Sequence, residues 1–407
     1  MMAKRLIIIV SLILLALQLR VNLRGQNASG WDRIGTVDKA SLQGIINNPM
    51  IASFDLSPDG KTIALLAFSG AKVGGSLWLV LQDVPSGKTV LSREIGVRIF
   101  PTGNFAPQVL FSADQRYLVV QNLQRVLVLN AANLNEERTI AAPPGQSALH
   151  PLMIIGAAVR DVFVCAFGAW GQFEVLPHAT PAQLYVVDVS TGEEIASWKA
   201  EDVPQSISAD GTLVAISSWQ DLRNGVVPVA IFESSGKRIA EMDGGFSFRN
   251  AENLSKPIGR IIGIFVGNND ILLSPDGNTD STGHRSGERL ELVNLSNPVT
   301  RQDVRPSDFG PSGEMAISGD QKTLLAVSWR VPARVARHEH WPLPASSSPK
   351  VFILGRNHDF HVETMLSVHP IGLATGGPDT QRPRISSDGQ LIAMAQNGGI
   401  AVLARSH

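Results

Sequence analysis

The amino-acid sequence predicts an all-β protein, built from seven similar repeats that are each the size of a four-stranded antiparallel sheet. Composition is the first observation, because 37 Gly, 24 Pro and only 17% charged residues in 407 fit short strands and turns better than helices. The second is a short polar turn followed by an apolar run, which recurs along the chain. The third is another apolar segment after each copy of that pair. Together these observations indicate repeated hairpins that bury both faces.

Composition also excludes several classes of protein. A content of 44% hydrophobic residues is too high for a disordered chain, and one Cys cannot form a disulfide framework. With 35 Lys and Arg against 36 Asp and Glu, the net charge of −1 argues against a strongly basic nucleic-acid binder. We therefore expect a globular protein with a large core and no nucleic-acid partner.

Residues 1–30 are predicted to be a signal peptide. Lys4 and Arg5 precede an apolar run over residues 6–19, and residues 28–30 are small, as a cleavage site requires. A helix over those 14 apolar residues would be about 21 Å long, which is short of the roughly 30 Å of a bilayer core. We therefore expect an exported, periplasmic or extracellular protein whose remaining residues, 31–407, form a single domain.

An uncleaved anchor is the alternative for the same segment. Arg20 and Arg24 lie in an unusually long stretch between the apolar run and the small residues. A stable membrane span is expected only in that case. Without residues 1–30 the chain keeps 31 basic and 36 acidic residues, a net charge of −5, which disfavours binding to anionic membranes and nucleic acid.

The repeat has five explicit copies and two degenerate ones. The explicit copies read FDLSPDGKTIALLAF, LFSADQRYLVVQ, SISADGTLVAISSW, AISGDQKTLLAVSW and RISSDGQLIAMAQ. The turn aspartates of the seven copies are Asp59, Asp114, Asp161, Asp210, Asp270, Asp320 and Asp388. They are 55, 47, 49, 60, 50 and 68 residues apart, and residues 31–407 divide into seven units of about 54 residues, the size of a four-stranded sheet with its loops.

The sequence of each unit predicts a strand, a tight turn and a second strand, followed by a third strand and, in all but the last unit, a fourth. Ser and Asp at the turn bond nearby backbone, and the Asp-Gly pair tolerates the positive φ of a tight hairpin. The second strand is almost continuously apolar, as in TIALLAF and TLLAVS, so both of its faces are expected to be covered. The third strand ends in turn chemistry, and a more polar fourth segment suits an outer edge.

With these turns the chain resembles the WD40-like and YVTN-type β-propeller repeat proteins, in which an S-x-D-G turn joins the two innermost strands of each blade. The resemblance implies a seven-bladed β-propeller with four-stranded antiparallel blades. It also implies how the ring closes, because in such proteins the amino terminus usually supplies the outer strand of the last blade. The last unit ends after its third strand at Arg405, and residues 33–46 are the candidate for the closing strand.

Four loops between second and third strands are expanded, and they are expected on the face of the disc opposite the Ser-x-Asp turns. They span residues 168–183, 218–227, 274–289 and 329–350. Long loops on a rigid scaffold often carry binding residues, and Trp with Arg is typical of interaction hot spots, although solvated loops are the alternative. The candidate binding residues are Trp170, Glu174, His178, Trp219, Asp221, Arg223, Arg285, Arg330 and Trp341.

Two patterns could hold a metal. In an extended segment His338 and His340 would point the same way and could share a divalent ion. Asp276, Asn278 and Asp280 alternate oxygen ligands like the start of a calcium loop. However, Ser281 stands where that loop needs Gly, and Glu288 is one residue late, so an ordinary polar loop is the alternative. No cofactor is predicted, with Ca²⁺ or another divalent metal as the exception.

The sequence motifs do not identify a biochemical activity. The sequence has no nucleophile elbow, dinucleotide fingerprint, P-loop, H-E-x-x-H or C-x-x-C, and Cys165 lies in the apolar run VFVCAF as a buried thiol would. The leading hypothesis is an exported binding or scaffolding module for a protein or other extracytoplasmic ligand. The alternatives are a lactonase-like or other propeller hydrolase with an axial divalent metal, and a structural envelope component.

Overall fold

The computed structural model confirms the seven-bladed β-propeller. It describes residues 30–70, 74–97, 107–122, 124–142, 149–169, 182–200, 204–217, 220–221, 228–243, 258–277, 290–304, 312–328, 350–356, 360–367, 383–396 and 399–406. Among these residues, no helix is long and apolar enough to cross a membrane.

The strands follow the predicted repeat, with the innermost strand of each blade first in sequence. The chain begins its ordered part with β1 (Trp31–Val37) and a short helix, α1 (Lys39–Leu42). Blade one contains β2 (Pro49–Leu56), β3 (Thr62–Ser69), β4 (Ser76–Asp83) and β5 (Thr89–Val97). Blade two contains β6 (Gln108–Phe111), β7 (Tyr117–Gln121), β8 (Val126–Asn130) and β9 (Glu136–Ile140). Blade three contains β10 (Leu149–Gly156), β11 (Val162–Ala169), β12 (Ala182–Asp188) and β13 (Glu194–Ala200).

A short additional strand lies between the second and third strands of blade four in the sequence and pairs with blade five. Blade four contains β14 (Pro204–Ile207), β15 (Leu213–Ile216), β17 (Pro228–Glu233) and β18 (Arg238–Asp243). Blade five contains β19 (Ile258–Phe265), β20 (Asp270–Gly277), β21 (Glu291–Asn294) and β22 (Asn297–Asp303). The extra strand, β16 (Gln220–Asp221), leaves blade four and pairs antiparallel with β19, so blade five has five strands rather than the predicted four.

The last two blades complete the ring. Blade six contains β23 (Ser312–Ile317), β24 (Thr323–Ser328), β25 (Lys350–Gly355) and β26 (His361–Ser367). Blade seven contains β27 (Arg384–Ile385), β28 (Leu391–Gln396), β29 (Gly399–Arg405) and, outermost, β1.

Burial follows the predicted strand chemistry. In β3, for example, the six residues between the terminal Thr62 and Ser69 are all buried, whereas the outer strand β9 has no buried residue. Seven apolar clusters lie at the seven boundaries between adjacent blades. Each blade therefore hides its two faces against its neighbours, which is why a single sheet of this sequence would be unstable alone.

The ring closes through β1, as the resemblance implied, but over a shorter segment than predicted. Trp31 pairs with Arg405 and Val37 pairs with Ile400. The prediction of a strand over residues 33–46 is wrong beyond Val37, because Asp38 caps α1 by accepting a hydrogen bond from the Ser41 amide at 2.9 Å. The residues after the cap pack instead as a short helix and turn against the boundary between blades seven and one.

Candidate functional site

The Ser-x-Asp turns hold the innermost strands at a common height around the axis. Ser57 Oγ donates to Asp59 Oδ1 at 2.7 Å and accepts from the Thr62 amide at 2.9 Å, while the Lys61 amide donates to Asp59 Oδ1 at 3.1 Å. The same Ser-to-Asp bond joins Ser112 to Asp114, Ser208 to Asp210, Ser318 to Asp320 and Ser386 to Asp388, at 2.6, 2.7, 2.6 and 2.6 Å. Five of the seven inner hairpins are thus closed by one repeated device.

Hydrogen bonding lowers the pKa of three turn carboxylates, those of Asp59, Asp114 and Asp210. Burial acts to raise the pKa of Asp59, but the Ser57 hydroxyl, the Lys61 amide and the Lys61 charge outweigh it and hold that pKa below its usual range. In Asp114 and Asp210 the same kind of balance, burial against hydrogen bonds from the turn, also lowers the pKa. These aspartates are structural acceptors.

An axial channel runs inside the ring of inner strands. Its cavity has a volume of about 210 Å³. Every blade contributes to its wall the residue two places before the turn Ser, or before Ala157 and Val266, which replace Ser in blades three and five. These seven residues are Asp55, Leu110, Ile155, Ser206, Ile264, Ala316 and Arg384. Four blades thus line this level with apolar side chains, one with a hydroxyl and two with opposite charges.

Asp55 and Arg384 form an ion pair across the closing boundary of the ring. Arg384 Nε lies 3.0 Å from Asp55 Oδ1, and the side chains are only 15% and 13% exposed. Arg384 Nε also donates to the Phe54 carbonyl at 3.2 Å, and Asp55 Oδ2 accepts from the Phe111 amide at 2.8 Å. Asp55 therefore connects blades seven, one and two.

The ionisation of Asp55 reflects opposing influences. Burial raises its pKa, while the Arg384 charge and the amides of Phe111 and Leu56 act to lower it, and burial prevails. Both carboxylate oxygens are occupied by protein donors. The arrangement is suited to joining blades rather than to accepting a proton from a substrate.

Buried polar groups from blades two and four also line the channel. Gln108 Oε1 accepts from the Ile154 amide at 2.8 Å, which joins blades two and three. Ser206 Oγ accepts from the Phe265 amide at 3.3 Å, which joins blades four and five. Gln205 is 8% exposed, and its Nε2 is buried without a hydrogen-bond partner among the described residues. The channel wall therefore contains a buried N–H donor, the Gln205 side-chain amide, that no described residue accepts.

One mouth of the channel is formed by the residues that follow the turn Ser. We call this end the turn face, and it is bordered by Pro58, Ala113, Ala158, Ala209, Gly319 and Ser387. Backbone bonds between neighbouring turns fix it, as when the Ser387 amide donates to the Pro58 carbonyl at 2.8 Å and the Asp320 amide to the Ser387 carbonyl at 2.7 Å. The loops between second and third strands leave the opposite ends of the strands, as predicted.

Solved structures with a similar ring support the assignment of the fold. The WD40 domain of Neurospora crassa Pan2 aligns with a TM-score of 0.55 and 11% identity over 93% of this chain and 96% of that domain. The β-propeller domain of Cps50 (Swd1) from Myceliophteria thermophila gives 0.51 and 12%, over 92% and 99% of the two chains. The protein has the fold of a WD40-like propeller.

Other comparisons add nothing beyond the fold of this propeller. Hydrazine synthase from Kuenenia stuttgartiensis aligns with a TM-score of 0.52 and 16% identity, over 88% of this chain and 96% of that one. No protein-family model matches the sequence, and no curated protein matches it. At such identities these likenesses bear on architecture alone.

The structure places few of the predicted binding and metal residues. Asp221 lies in β16, with its backbone opposite Ile258, and Asp276 lies in β20 opposite Arg260. The third expanded loop therefore begins after Gly277, four residues later than predicted. The other candidates lie outside the described residues: Trp170, Glu174, His178, Trp219, Arg223, Asn278, Asp280, Arg285, Arg330, His338, His340 and Trp341.

Two further points concern reactive side chains in the described part of the propeller. Cys165 is buried in β11, as predicted, and burial raises the pKa of its thiol. Within the ranges that the structure describes, no group of three or more His, Cys, Asp or Glu side chains is arranged to hold a metal ion.

Sequence reasoning missed the charged pair in the channel, although the repeat carries a signal for it. When the copies are aligned on the turn Ser, FDLS and RISS have a charge two places before it, where LFS, AIS and the degenerate copies have apolar residues. A charged residue at a repeat position that is apolar in most other copies indicates a special role for that side chain. Asp55 and Arg384 could have been found in this way.

Proposed function

We propose that this propeller is an exported binding or scaffolding module for a protein partner, which it contacts with the loops opposite the turn face. The observation that carries the proposal is β16. It ties the loop over residues 218–227 to the innermost strand of the next blade, with Gln220 opposite Gly259 and Asp221 opposite Ile258. Two residues of a predicted binding loop are thereby held beside the innermost strand of blade five.

Rigidity of the scaffold supports the same reading. Seven apolar boundaries between the blades hold the strands from which the expanded loops leave. Binding residues carried on a rigid scaffold lose less conformational entropy on binding, and Trp or Arg side chains among them can form hot spots. Trp219 and Arg223 flank or follow the anchored β16 in sequence, which makes them the first residues to test.

A paired substitution on one blade tests the proposal. Trp219→Ala with Arg223→Ala alters the anchored loop, and Ser234→Ala with Lys237→Ala alters the exposed turn at the other end of the same blade. The partner is identified by cross-linking the tagged full chain in its native cells, and is then purified for direct titration. We expect saturable binding that the loop variant weakens at least about 30-fold, the equivalent of 2 kcal/mol, and that the turn variant retains.

Two results would contradict the proposal. In one, no protein binds the purified chain saturably. In the other, the loop and turn variants bind a partner equally well, which would place the contact elsewhere on the disc.

Export is a separate part of the proposal and rests on residues 1–30 of the sequence. The full chain, expressed in a secreting host, is expected in the exported fraction with a mature amino terminus near residue 31. An intact Met1 in the membrane fraction would instead identify an uncleaved anchor.

Metal binding remains a proposal of lower rank, for His338 and His340 or for Asp276, Asn278 and Asp280. Elemental analysis of the purified chain tests it. Stoichiometric metal that is lost in His338→Ala with His340→Ala, or in Asp280→Ala, would favour the metal-dependent hydrolase over the binding module.

A further inference from the structure

Gln205 is an exception among the residues that precede the inner turns. The equivalent residues of the other six blades are Phe54, Val109, Ile154, Gly263, Met315 and Pro383. All are apolar or glycine and all are buried, which is what contact with a neighbouring blade requires. An amide in that position loses its hydration, and an unsatisfied buried donor costs about 1–3 kcal/mol. Its presence in blade four therefore calls for a partner.

A β-bulge in blade four lies at Gln205. The register of β14 against β15 shifts between Pro204 and Ser206, so the extra residue is Gln205 itself. In blades one, three and six the corresponding shifts lie two residues farther from the turn, at Ala52, Leu152 and Gly313. Gln205 lines the channel, as do the equivalent residues Ile154 and Met315 of two other blades, so blade four presents an amide where those blades present apolar side chains.

The surroundings of Gln205 form a small amphipathic cavity. Its neighbour Ser206 uses its Oγ as an acceptor for the Phe265 amide, which leaves the hydroxyl proton to donate. Apolar side chains supply much of the remaining wall, among them Met153, Ile155 and Ile264. The volume of about 210 Å³ exceeds several times the roughly 30 Å³ that one water molecule occupies in the liquid.

Electrostatics limit what could fill the cavity. Asp55 and Arg384 neutralise each other, so the wall offers hydrogen-bond donors without an excess positive charge. An anion would lose its hydration without gaining a counter-charge, whereas a neutral carbonyl oxygen would satisfy the donors at little cost. Small residues at the turn face, such as Ala113 and Gly319, leave room at the mouth for a ligand to enter.

From these contacts we propose that the axial channel is a binding site for a small uncharged molecule with an apolar body and a carbonyl oxygen. The Gln205 amide and the Ser206 hydroxyl donate to that oxygen, and the aliphatic side chains contact the body. The site is independent of the loops on the opposite face, so the inference does not rest on the proposed protein partner.

Three probes that share a six-membered carbon ring test the proposal by ligand-observed NMR titration of the full chain. Cyclohexanone carries a neutral carbonyl, methylenecyclohexane replaces the oxygen by a CH₂ group, and cyclohexanecarboxylate carries a charge. We expect cyclohexanone to bind with a Kd on the order of 1 mM, and each of the other two to bind more weakly. Equal binding of the ketone and the hydrocarbon would overturn the proposal.

Substitutions locate the binding. Gln205→Met keeps the volume and removes the donor, and is expected to weaken cyclohexanone binding about 2- to 10-fold, the worth of one hydrogen bond. Gln183→Met, on β12 and away from the channel, is the matched control and should change nothing. Ala113→Phe narrows the turn face and should block binding without touching Gln205.

Stability gives a second readout. Since the Gln205 amide has no partner among the described residues, Gln205→Met should leave the unfolding midpoint unchanged or raise it. A lower midpoint, or equal affinities of Gln205→Met and Gln183→Met for cyclohexanone, would show that the amide serves the fold and would overturn the proposal.

Discussion

Single residues at the tight turns show how much of this fold rests on backbone conformation. In the five Ser-x-Asp turns the residue after the Asp has a positive φ, which is +71° at Gly60, +74° at Gly211 and +69° at Gly389. Gln115 and Gln321 occupy the same position with φ of 65° and 60°. A side chain in the left-handed region costs about 1–2 kcal/mol, so these two turns depend more on their Ser-to-Asp bonds than the glycine turns do.

Substitution of a turn glycine should be costly. A Cβ added at Gly389 would lie 2.7 Å from Thr323 Oγ1 of the neighbouring blade, in addition to the strain of its positive φ. We expect Gly389→Ala to lower the free energy of unfolding by about 2 kcal/mol in denaturant titrations. Gly44→Ala, where nothing lies within 4 Å of the added atom, should stay within about 0.5 kcal/mol. Equal losses would contradict the argument.

The turn carboxylates should make stability sensitive to acid. The pKa of Asp210 is lowered because hydrogen bonds from Ser208 and Thr212 outweigh its burial. A depressed pKa contributes stability above the unfolded value near 3.8, which is lost as the pH falls through the folded value. The stability advantage of the wild type over Asp210→Asn should therefore shrink in unfolding curves measured from pH 6 to pH 3. Parallel stability curves of the wild type and Asp210→Asn over this pH range would contradict the argument.

At the scale of elements, the strands were predictable and the closing segment was predictable only in part. Continuous apolar runs such as the one in β3 indicate burial on both faces, and the polar β9 indicates an edge. The end of β1 is not given by the resemblance, which places a closing strand over residues 33–46, because the cap that Asp38 forms with the Ser41 amide starts α1 inside that stretch. The local hydrogen bond of the Asp38 cap therefore decides where the closing strand ends.

The closing strand should depend on one buried side chain. Trp31 in β1 is 4% exposed, packs between blades six and seven, and lies under the Arg405 guanidinium at 5.3 Å from the ring centre. We expect Trp31→Ala to cost about 3–5 kcal/mol of unfolding free energy. Ile34→Ala, on the same strand but 40% exposed, should cost far less. If the two variants unfold at the same denaturant concentration, β1 does not hold the ring closed.

At the scale of the whole molecule, the number of blades follows from sequence but the channel contents do not. The turn Ser recurs in five copies and so aligns the blades without any knowledge of contacts. The pairing of Asp55 with Arg384 exists only because the first and last blades become neighbours. The Gln205 bulge is equally invisible in the sequence, since register depends on pairing in three dimensions. The loop candidates remain predictions.

The axial ion pair gives a prediction about ring closure. Arg384→Met leaves the buried Asp55 without its counter-charge, which should cost about 3–5 kcal/mol at neutral pH. Burial already raises the pKa of Asp55, and loss of the Arg384 charge raises it further. A carboxyl group with a raised pKa in the folded state destabilises the fold as the pH rises and the group must ionise. The deficit should therefore be smaller at pH 4 than at pH 7.

A double variant separates the charge from the packing in the same unfolding experiments. Asp55→Leu combined with Arg384→Met removes both charges and should be more stable at pH 7 than Arg384→Met alone. A double variant that is less stable than the single one would mean that Asp55 serves blade two, through the Phe111 amide, more than it serves Arg384.

Pairing between β1 and β29 also bears on how the protein is made. Strand β1 can pair with β29 only after some 370 intervening residues have been synthesised, since Trp31 contacts Arg405. Until then blade seven lacks its edge and the boundary on either side of it is open. The pairing of β1 with β29 is therefore a contact of very long sequence separation, and we expect it to form late in the folding of the ring.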